Sequence, residues 1–222
     1  MEINSKENSF SFSPSLRSVY EDENVLAIDK PTGINSDDFE KRVHRLDKDT
    51  SGILLIAKND KTLEFLQKQF KERKVKKKYL ALAVGNIENS EGTEETLIGR
   101  SPKDRKKQKA YLSCGPEAEN KGLRKAITYY RVVDRLNGYT LVEVEPQTGR
   151  KHQIRVHLAF LGHPVAGDKI YGFKNQPCPK NLKRQFLHAS YLKVKLPNNK
   201  IIELKSKLPI DLEKALLEIK NY

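Results

Sequence analysis

Two short segments gather side chains that could act together on a substrate. The first is His44-Arg45-Leu46-Asp47-Lys48-Asp49-Thr50-Ser51-Gly52, set directly before the apolar run Ile53–Ala57. An ionised carboxylate such as Asp47 can attack as a nucleophile or act as a general base. The second is Thr148-Gly149-Arg150-Lys151-His152-Gln153-Ile154-Arg155-Val156-His157. A guanidinium beside a carboxylate favours its charged form and aims it. At helical spacing Lys151, His152, Arg155 and Ala159 share one arc, while Ile154, Leu158 and Leu161 share another. The small Ala159 leaves room beside Arg155. Gln153 and His157 fall among apolar neighbours and are expected as hydrogen-bonded core groups. Read alone, the Asp47 segment is equally a solvated loop whose Thr50 and Ser51 make turn hydrogen bonds.

Two further segments carry charge in unusual settings. In Gly162-His163-Pro164-Val165-Ala166-Gly167-Asp168-Lys169-Ile170-Tyr171-Gly172, glycine and proline fix the backbone path. Asp168 there reads as a cap or an ion-pair partner. Arg73-Lys74 leads to Lys76-Lys77-Lys78-Tyr79, basic residues running into an aromatic. That order suits a phosphate track with one stacking base, or a helix end with lysines at its negative pole. A second basic run spans Lys103–Lys109. The formal charge of +13, from 42 Lys and Arg against 29 Asp and Glu, points to a polyanionic partner.

These segments need rigid elements to bring them together. Val25–Ile28 and Ile53–Ala57 read as buried strands, and Lys30-Pro31-Thr32-Gly33 as the turn that stops the first. Asp60 is predicted to cap a helix to about Arg73, with Leu63, Leu66 and Phe70 on its inner face. Tyr79–Val84 reads as a strand ended by Gly85. Residues 86–122 read as polar and irregular. Ala126–Val133 and Tyr139–Val144 form a hairpin around Asn137-Gly138, with Val142 and Val144 on one face and Glu143 and Glu145 on the other. A helix is predicted from near Thr148 to Gly162. His188–Leu196 and Ile201–Leu204 make a hairpin at Asn198-Asn199, and a last helix from Pro209 buries Leu212, Leu216 and Ile219. Strand and helix do not alternate regularly, which disfavours a doubly wound parallel sheet. The fold class expected is α+β, a mixed and largely antiparallel sheet with flanking helices.

The same reading excludes several classes. Cys114 and Cys178 are far apart and outside any CxxC pair, so neither a disulfide framework nor a structural zinc site is expected. No apolar stretch reads as a signal peptide or a bilayer span, and a cytoplasmic location is expected. A metal-dependent nuclease built on Asp47, Asp49, His152 and His157 lacks tight ligand spacing. His-Arg-Leu-Asp has the wrong order for a kinase catalytic loop, and no glycine-rich loop accompanies it.

Taken in order after DKPTGI, the motifs HRLDKDTSG, KKYLALAVG, TGRKHQIRVH and GHPVAGDKIYG resemble the RluA-type family of RNA pseudouridine synthases over roughly residues 17–205. The resemblance implies a long, bent, mixed sheet with the active cleft across its middle. It implies no metal, no cofactor, and a uridine in structured RNA, ribosomal or transfer, as substrate. By that resemblance Asp47 matches the catalytic aspartate, Arg155 its basic partner, and Tyr79 the tyrosine that packs on the target base and helps remove the C5 proton. Arg45 resembles the arginine that fills the gap left by a flipped base. His44, Leu46, Gly149 and His152 match as supports of the site. Arg73, Lys74, Lys76, Lys77, Lys78 and Lys151 are expected to contact RNA. Residues 1–16 are expected as a frayed leader, residues 17–222 as one catalytic domain without an S4-type domain, and the chain as a monomer with no obligate protein partner. Only ten residues separate Gly33 from His44, where relatives usually carry a longer insertion. A non-catalytic RNA-binding or RNA-folding factor on the same fold is the alternative reading.

Overall fold

A computed structural model of the chain describes residues 16–114 and 122–220. Apolar and β-branched runs become strands wherever a neighbour can bury them. In chain order these are Arg17–Glu21 (β1), Val25–Lys30 (β2), Ser51–Ala57 (β3), Lys76–Val84 (β4), Glu91–Arg100 (β5), Gln108–Tyr111 (β6), Arg124–Leu136 (β7), Tyr139–Pro146 (β8), Leu187–Lys195 (β9) and Ile201–Lys205 (β10). The helices are Asp60–Lys71 (α1), Gln153–Phe160 (α2) and Ile210–Lys220 (α3). The strands form one sheet in the order β1-β2-β3-β9-β4-β8-β7-β5-β6, with β10 also on β9. Every pairing between named strands is antiparallel except β3 with β9. This is the mixed, mostly antiparallel α+β architecture expected. No helix among the described residues is long and apolar enough to cross a membrane.

The single parallel pairing is short, Ser51↔His188 and Gly52↔Ala189. Gly52 makes it possible. Its φ is +112°, and a Cβ there would stand 2.3 Å from the Ala189 carbonyl oxygen. Any side chain would push the strands apart. The segment that carries Asp47 therefore ends on a backbone contact with the middle of the sheet.

The helices cover the sheet with the apolar faces their spacing provides. Leu66 of α1 is fully buried in a cluster with Ile53, Leu55, Leu192 and Val194. Ile154 and Leu158 of α2 share another cluster with Leu212, Ala215 and Ile219 of α3 and with Leu82, Val142 and Val144. Removing one such leucine from water is worth about 2 kcal/mol, so these faces fix where each helix sits.

Several expectations are corrected. The cap of α1 is Asn59, whose side chain accepts from the Thr62 amide at 2.9 Å, with Asp60 inside the helix. Residues 86–122 contain β5 and β6, and β1 precedes β2. β5 escapes a reading by alternation because most of it is half-exposed, with burial confined to Thr96, Ile98 and Gly99. Lys76–Lys78 belong to β4, so their side chains alternate across a strand. α2 starts at Gln153, since His152 adopts a left-handed conformation with φ 57°. Leu216 of α3 is only partly buried, and Ala215 takes the inner place. The leader lies outside the described residues apart from Leu16, which packs on the cluster around Leu26 and Leu46.

Candidate active site

Asp47 and Arg155, 108 positions apart in sequence, meet at one cleft. Arg155 Nη1 donates to Asp47 Oδ2 at 2.9 Å. The opposite edge of the guanidinium is held by Asp168, with Nε to Oδ2 at 2.7 Å and Nη2 to Oδ1 at 2.8 Å. Arg155 is thus clamped between two carboxylates, one sealed from solvent and one facing the cleft. Side-chain exposure is 0% for Asp168 and 22% for Asp47. Burial works against the charge of Arg155, but Asp168 and Asp47 more than offset it and raise its pKa above the ordinary value. Burial alone would raise Asp168; the Arg155 hydrogen bonds and the backbone amides of Ile170 and Tyr171 outweigh it and hold the carboxyl below its usual range. Among the described residues no donor lies within hydrogen-bond distance of Asp47 Oδ1; His152 Nε2 stands 3.8 Å from it.

Local chemistry sets the backbone on both sides of this pair. On the α2 side, Gln153 ties the turn to the sheet. Its Oε1 accepts from Thr148 Oγ1 at 2.7 Å and from the Arg150 amide at 2.9 Å. Its Nε2 donates to Ile127 O and Thr128 Oγ1. His157, one turn on, lies between the hydroxyls of Thr96 and Thr128 at 2.9 and 2.8 Å. Both are satisfied core groups, as their apolar neighbours indicated, and burial pushes His157 down to about 4.

The Asp47 side is braced from three directions. Ser36 Oγ accepts from the Leu46 amide and donates to the Leu46 carbonyl, each at 2.9 Å. The short segment after Gly33 thereby clamps the loop. Lys30 is fully buried, and its Nζ donates to the carbonyls of Pro31, Ile34 and Lys48. Burial, then the charge of Arg184, brings it down to about 8. Arg184, ahead of β9, donates to Asp49 O at 3.0 Å and Ser51 Oγ at 3.1 Å while pairing with Asp211 of α3. Lys30, Ser36, Arg184 and the role of Asp168 as the partner of Arg155 were not identified from sequence. Of these, only Asp168 carried a sequence signal, as a cap or an ion-pair partner beside Gly167.

The cleft has a volume of about 580 Å³, the scale of a pocket for one small ligand. Asp47, Arg155 and Tyr79 line it together. Burial, then the negative charge of Asp47, raises the Tyr79 phenol above its ordinary value, so the ring is a neutral, flat wall. His44, Leu46, Gly149 and His152 also line it. His44 stacks on Phe70 at 4.8 Å, and its Nε2 accepts from the Leu55 amide. Burial, then Lys77, lowers it to about 3, which keeps that nitrogen an acceptor.

Of the basic residues, Arg45, Arg73, Lys77 and Lys151 reach the cleft, joined by Arg150 and Lys71. Arg45 stands exposed at the rim, 3.8 Å from Asp37. Lys77 shares the Tyr79 face of β4, and burial lowers it to about 8. Lys76 and Lys78 pair with Glu145 and Glu143, Lys74 pairs with Glu72, and none of the three lines the cleft.

The sequence pattern of the RNA pseudouridylate synthases matches residues 35–160, more than half of the chain. The chain belongs to this family. It is 41% identical over 180 residues to an uncharacterized RNA pseudouridine synthase of Chloroflexus aurantiacus, covering 81% of this chain and 53% of that protein. It is 34% identical over 220 residues to ribosomal large subunit pseudouridine synthase D of Borreliella burgdorferi, covering 86% and 64%. The match therefore spans between half and two thirds of those two relatives. Human RNA pseudouridylate synthase domain containing 1 superposes with a TM-score of 0.76 at 29% identity, over 97% of this chain and 90% of that one. The family pattern takes in β3, β4 and all of α2, and so contains Asp47, Tyr79 and Arg155.

Proposed function

We propose that the chain converts uridine to pseudouridine in structured RNA, with Asp47 as the catalytic carboxylate. The observation that carries this reading is the Asp47–Arg155 pair at 2.9 Å opening into a cleft walled by Tyr79. The reaction breaks N1–C1′ and forms C5–C1′, and the C5 proton is lost as N1 gains one, with no net uptake of water. Breaking a glycosidic bond develops positive charge on the sugar, which an adjacent carboxylate stabilises. Asp47 acts either by attack on C1′ or as a base at C2′, and both roles require the charged form. With Oδ2 engaged by Arg155, Oδ1 is the oxygen available to the sugar.

Tyr79 supports the reading as a flat surface for the detached uracil. Its neutral phenol can help to move the C5 proton through its hydroxyl without prior ionisation. A base paired in a helix must leave its stack to reach Asp47, at a cost of a few kcal/mol. Arg45, exposed at the cleft rim, would stack in the vacancy. Lys77, Arg73 and Lys151 would hold backbone phosphates at the cleft. Ribosomal RNA is the substrate favoured here, on the name of the Borreliella relative.

Pseudouridine mapping of total RNA tests this. A site should vanish on deletion of the gene and return with the wild-type chain but not with Asp47→Ala, while Asp47→Ala still binds RNA. Restoration of the site by Asp47→Ala would overturn the role of that residue.

A further inference from the structure

Tyr171 touches both groups that face Asp47, although it does not line the cleft. Its ring lies 5.1 Å from the Arg155 guanidinium carbon, and its hydroxyl lies 2.8 Å from His152 Nδ1. The hydroxyl also accepts from the Gln108 amide at 2.9 Å. Asp168, which holds Arg155, places this tyrosine too, because its Oδ1 accepts from the Tyr171 amide at 3.1 Å. One buried carboxylate therefore sets the positions of Arg155 and Tyr171.

The proton inventory decides what Tyr171 does. A tyrosine hydroxyl has one proton to give. Its oxygen already accepts from the Gln108 amide, and His152 Nδ1 is the one acceptor for its proton within reach among the described residues. If Tyr171 donates there, Nδ1 carries no proton and Nε2 must carry it. The opposite tautomer would turn a bare Nε2 lone pair toward Asp47 Oδ1 at 3.8 Å, lone pair against carboxylate. We infer that Tyr171 is a positioning residue for the reaction, fixing His152 as the Nε2–H tautomer so that a neutral donor faces the free oxygen of Asp47. Burial of the imidazole, reinforced by Arg155 and Lys151 against the pull of Asp47, keeps His152 below its ordinary pKa, so the neutral ring is the relevant form. Arg155 then holds Oδ2 while His152 turns an N–H rather than a lone pair toward Oδ1, 3.8 Å away. The inference rests on the proposed role of Asp47 for its kinetic consequence, but the tautomer is a property of the free protein.

Two experiments test it. Long-range proton–nitrogen correlation on the ¹⁵N-labelled wild-type protein without RNA, with the His152 signals identified by their loss in His152→Gln, should show the proton on Nε2. A proton on Nδ1 would overturn the inference whatever Asp47 does. Tyr171→Phe keeps the ring over Arg155 and removes only the hydroxyl. It should let both His152 tautomers appear and lower kcat about tenfold at unchanged KM, the kinetic equivalent of one ordinary hydrogen bond. His152→Gln supplies an amide N–H that needs no tautomer, so in that background Tyr171→Phe should change kcat less than about twofold. Equal losses in both backgrounds would overturn the inference. Loss of all turnover in Asp47→Ala together with the expected tautomer keeps this result separate from the proposal for Asp47.

Discussion

Asp168 grips Arg155 from behind with two hydrogen bonds of 2.7 and 2.8 Å, so the guanidinium that meets Asp47 cannot swing away from it. The pair at the back is fully enclosed, and its partner at the front is open to substrate. This asymmetry leaves Asp168 to hold the guanidinium and Asp47 to face the cleft.

Asp168→Asn should therefore cost both stability and turnover. Breaking one side of a buried ion pair destabilises by about 3–5 kcal/mol, and a loosened Arg155 should lower kcat about 100-fold. Thermal unfolding and single-turnover assays check this. The pH dependence has a definite sign. The Asp168 carboxyl is depressed in the folded state, so its contribution is present above the ordinary value of 3.8 and is lost as pH falls through the folded value. The acid loss expected of wild type below 3.8 should be shallower in Asp168→Asn. Wild-type kcat in that variant would show that Arg155 needs no second carboxylate.

His157 predicts a separate acid effect. Its folded-state value of about 4 lies below the ordinary 6.5, so between those limits the unfolded chain binds the proton and the folded chain does not. Stability is then complete above 6.5 and declines toward pH 4, by at most about 1.4 kcal/mol per pH unit for one group. His44, lowered to about 3, adds to the same limb. In His157→Leu the stability at neutral pH should drop by about 1–3 kcal/mol, since Thr96 and Thr128 each lose a partner. The pH slope between 6.5 and 4 should also fall by about one proton. Denaturant melts across that range measure both, and an unchanged slope would mean that His157 is protonated in the folded chain.

For Lys77 the readout is RNA affinity. Burial brings its ammonium down to about 8, so it is charged below that pH and neutral above. Affinity of the free protein for RNA should weaken as pH rises through about 8, and Lys77→Met should remove that step. The same variant should reduce the slope of log affinity against log salt by about one phosphate contact. Fluorescence anisotropy with a labelled RNA reads both quantities. A salt slope equal to wild type would place Lys77 away from the phosphates.

Much of the fold was legible because local chemistry and burial agree. Val25–Ile28 and Ile53–Ala57 are apolar runs that the sheet buries on both sides, and Asn137-Gly138 marks its hairpin by turn chemistry alone. β5 was not legible, since Glu91, Thr93 and Glu95 stay exposed and the strand is defined by pairing with a partner about thirty residues away. Helical spacing does not mark the start of α2, because Thr148 and Gln153 bond each other and hold the chain in a turn ahead of it. Asp47, Tyr79 and Arg155 came from motifs whose residue types match one reaction. The tasks of Ser36, Tyr171 and Arg184 were not legible, even with Tyr171 inside GHPVAGDKIYG, because each acts through partners that only the folded chain brings near.

The seam between β3 and β9 gives the molecule a point of weakness beside the cleft that holds Asp47 and Arg155. Only two residue pairs stitch the backbones there; Asp47 lies just before β3 on one side, and Arg155, on α2 packed against β6, β7 and β8, lies on the other. A slight parting along this line would disconnect the machinery while both margins kept their strands. Loss of activity under mild denaturant should accordingly precede loss of the far-ultraviolet signal, with the amide of Ala189 exchanging its hydrogen sooner than that of Val142.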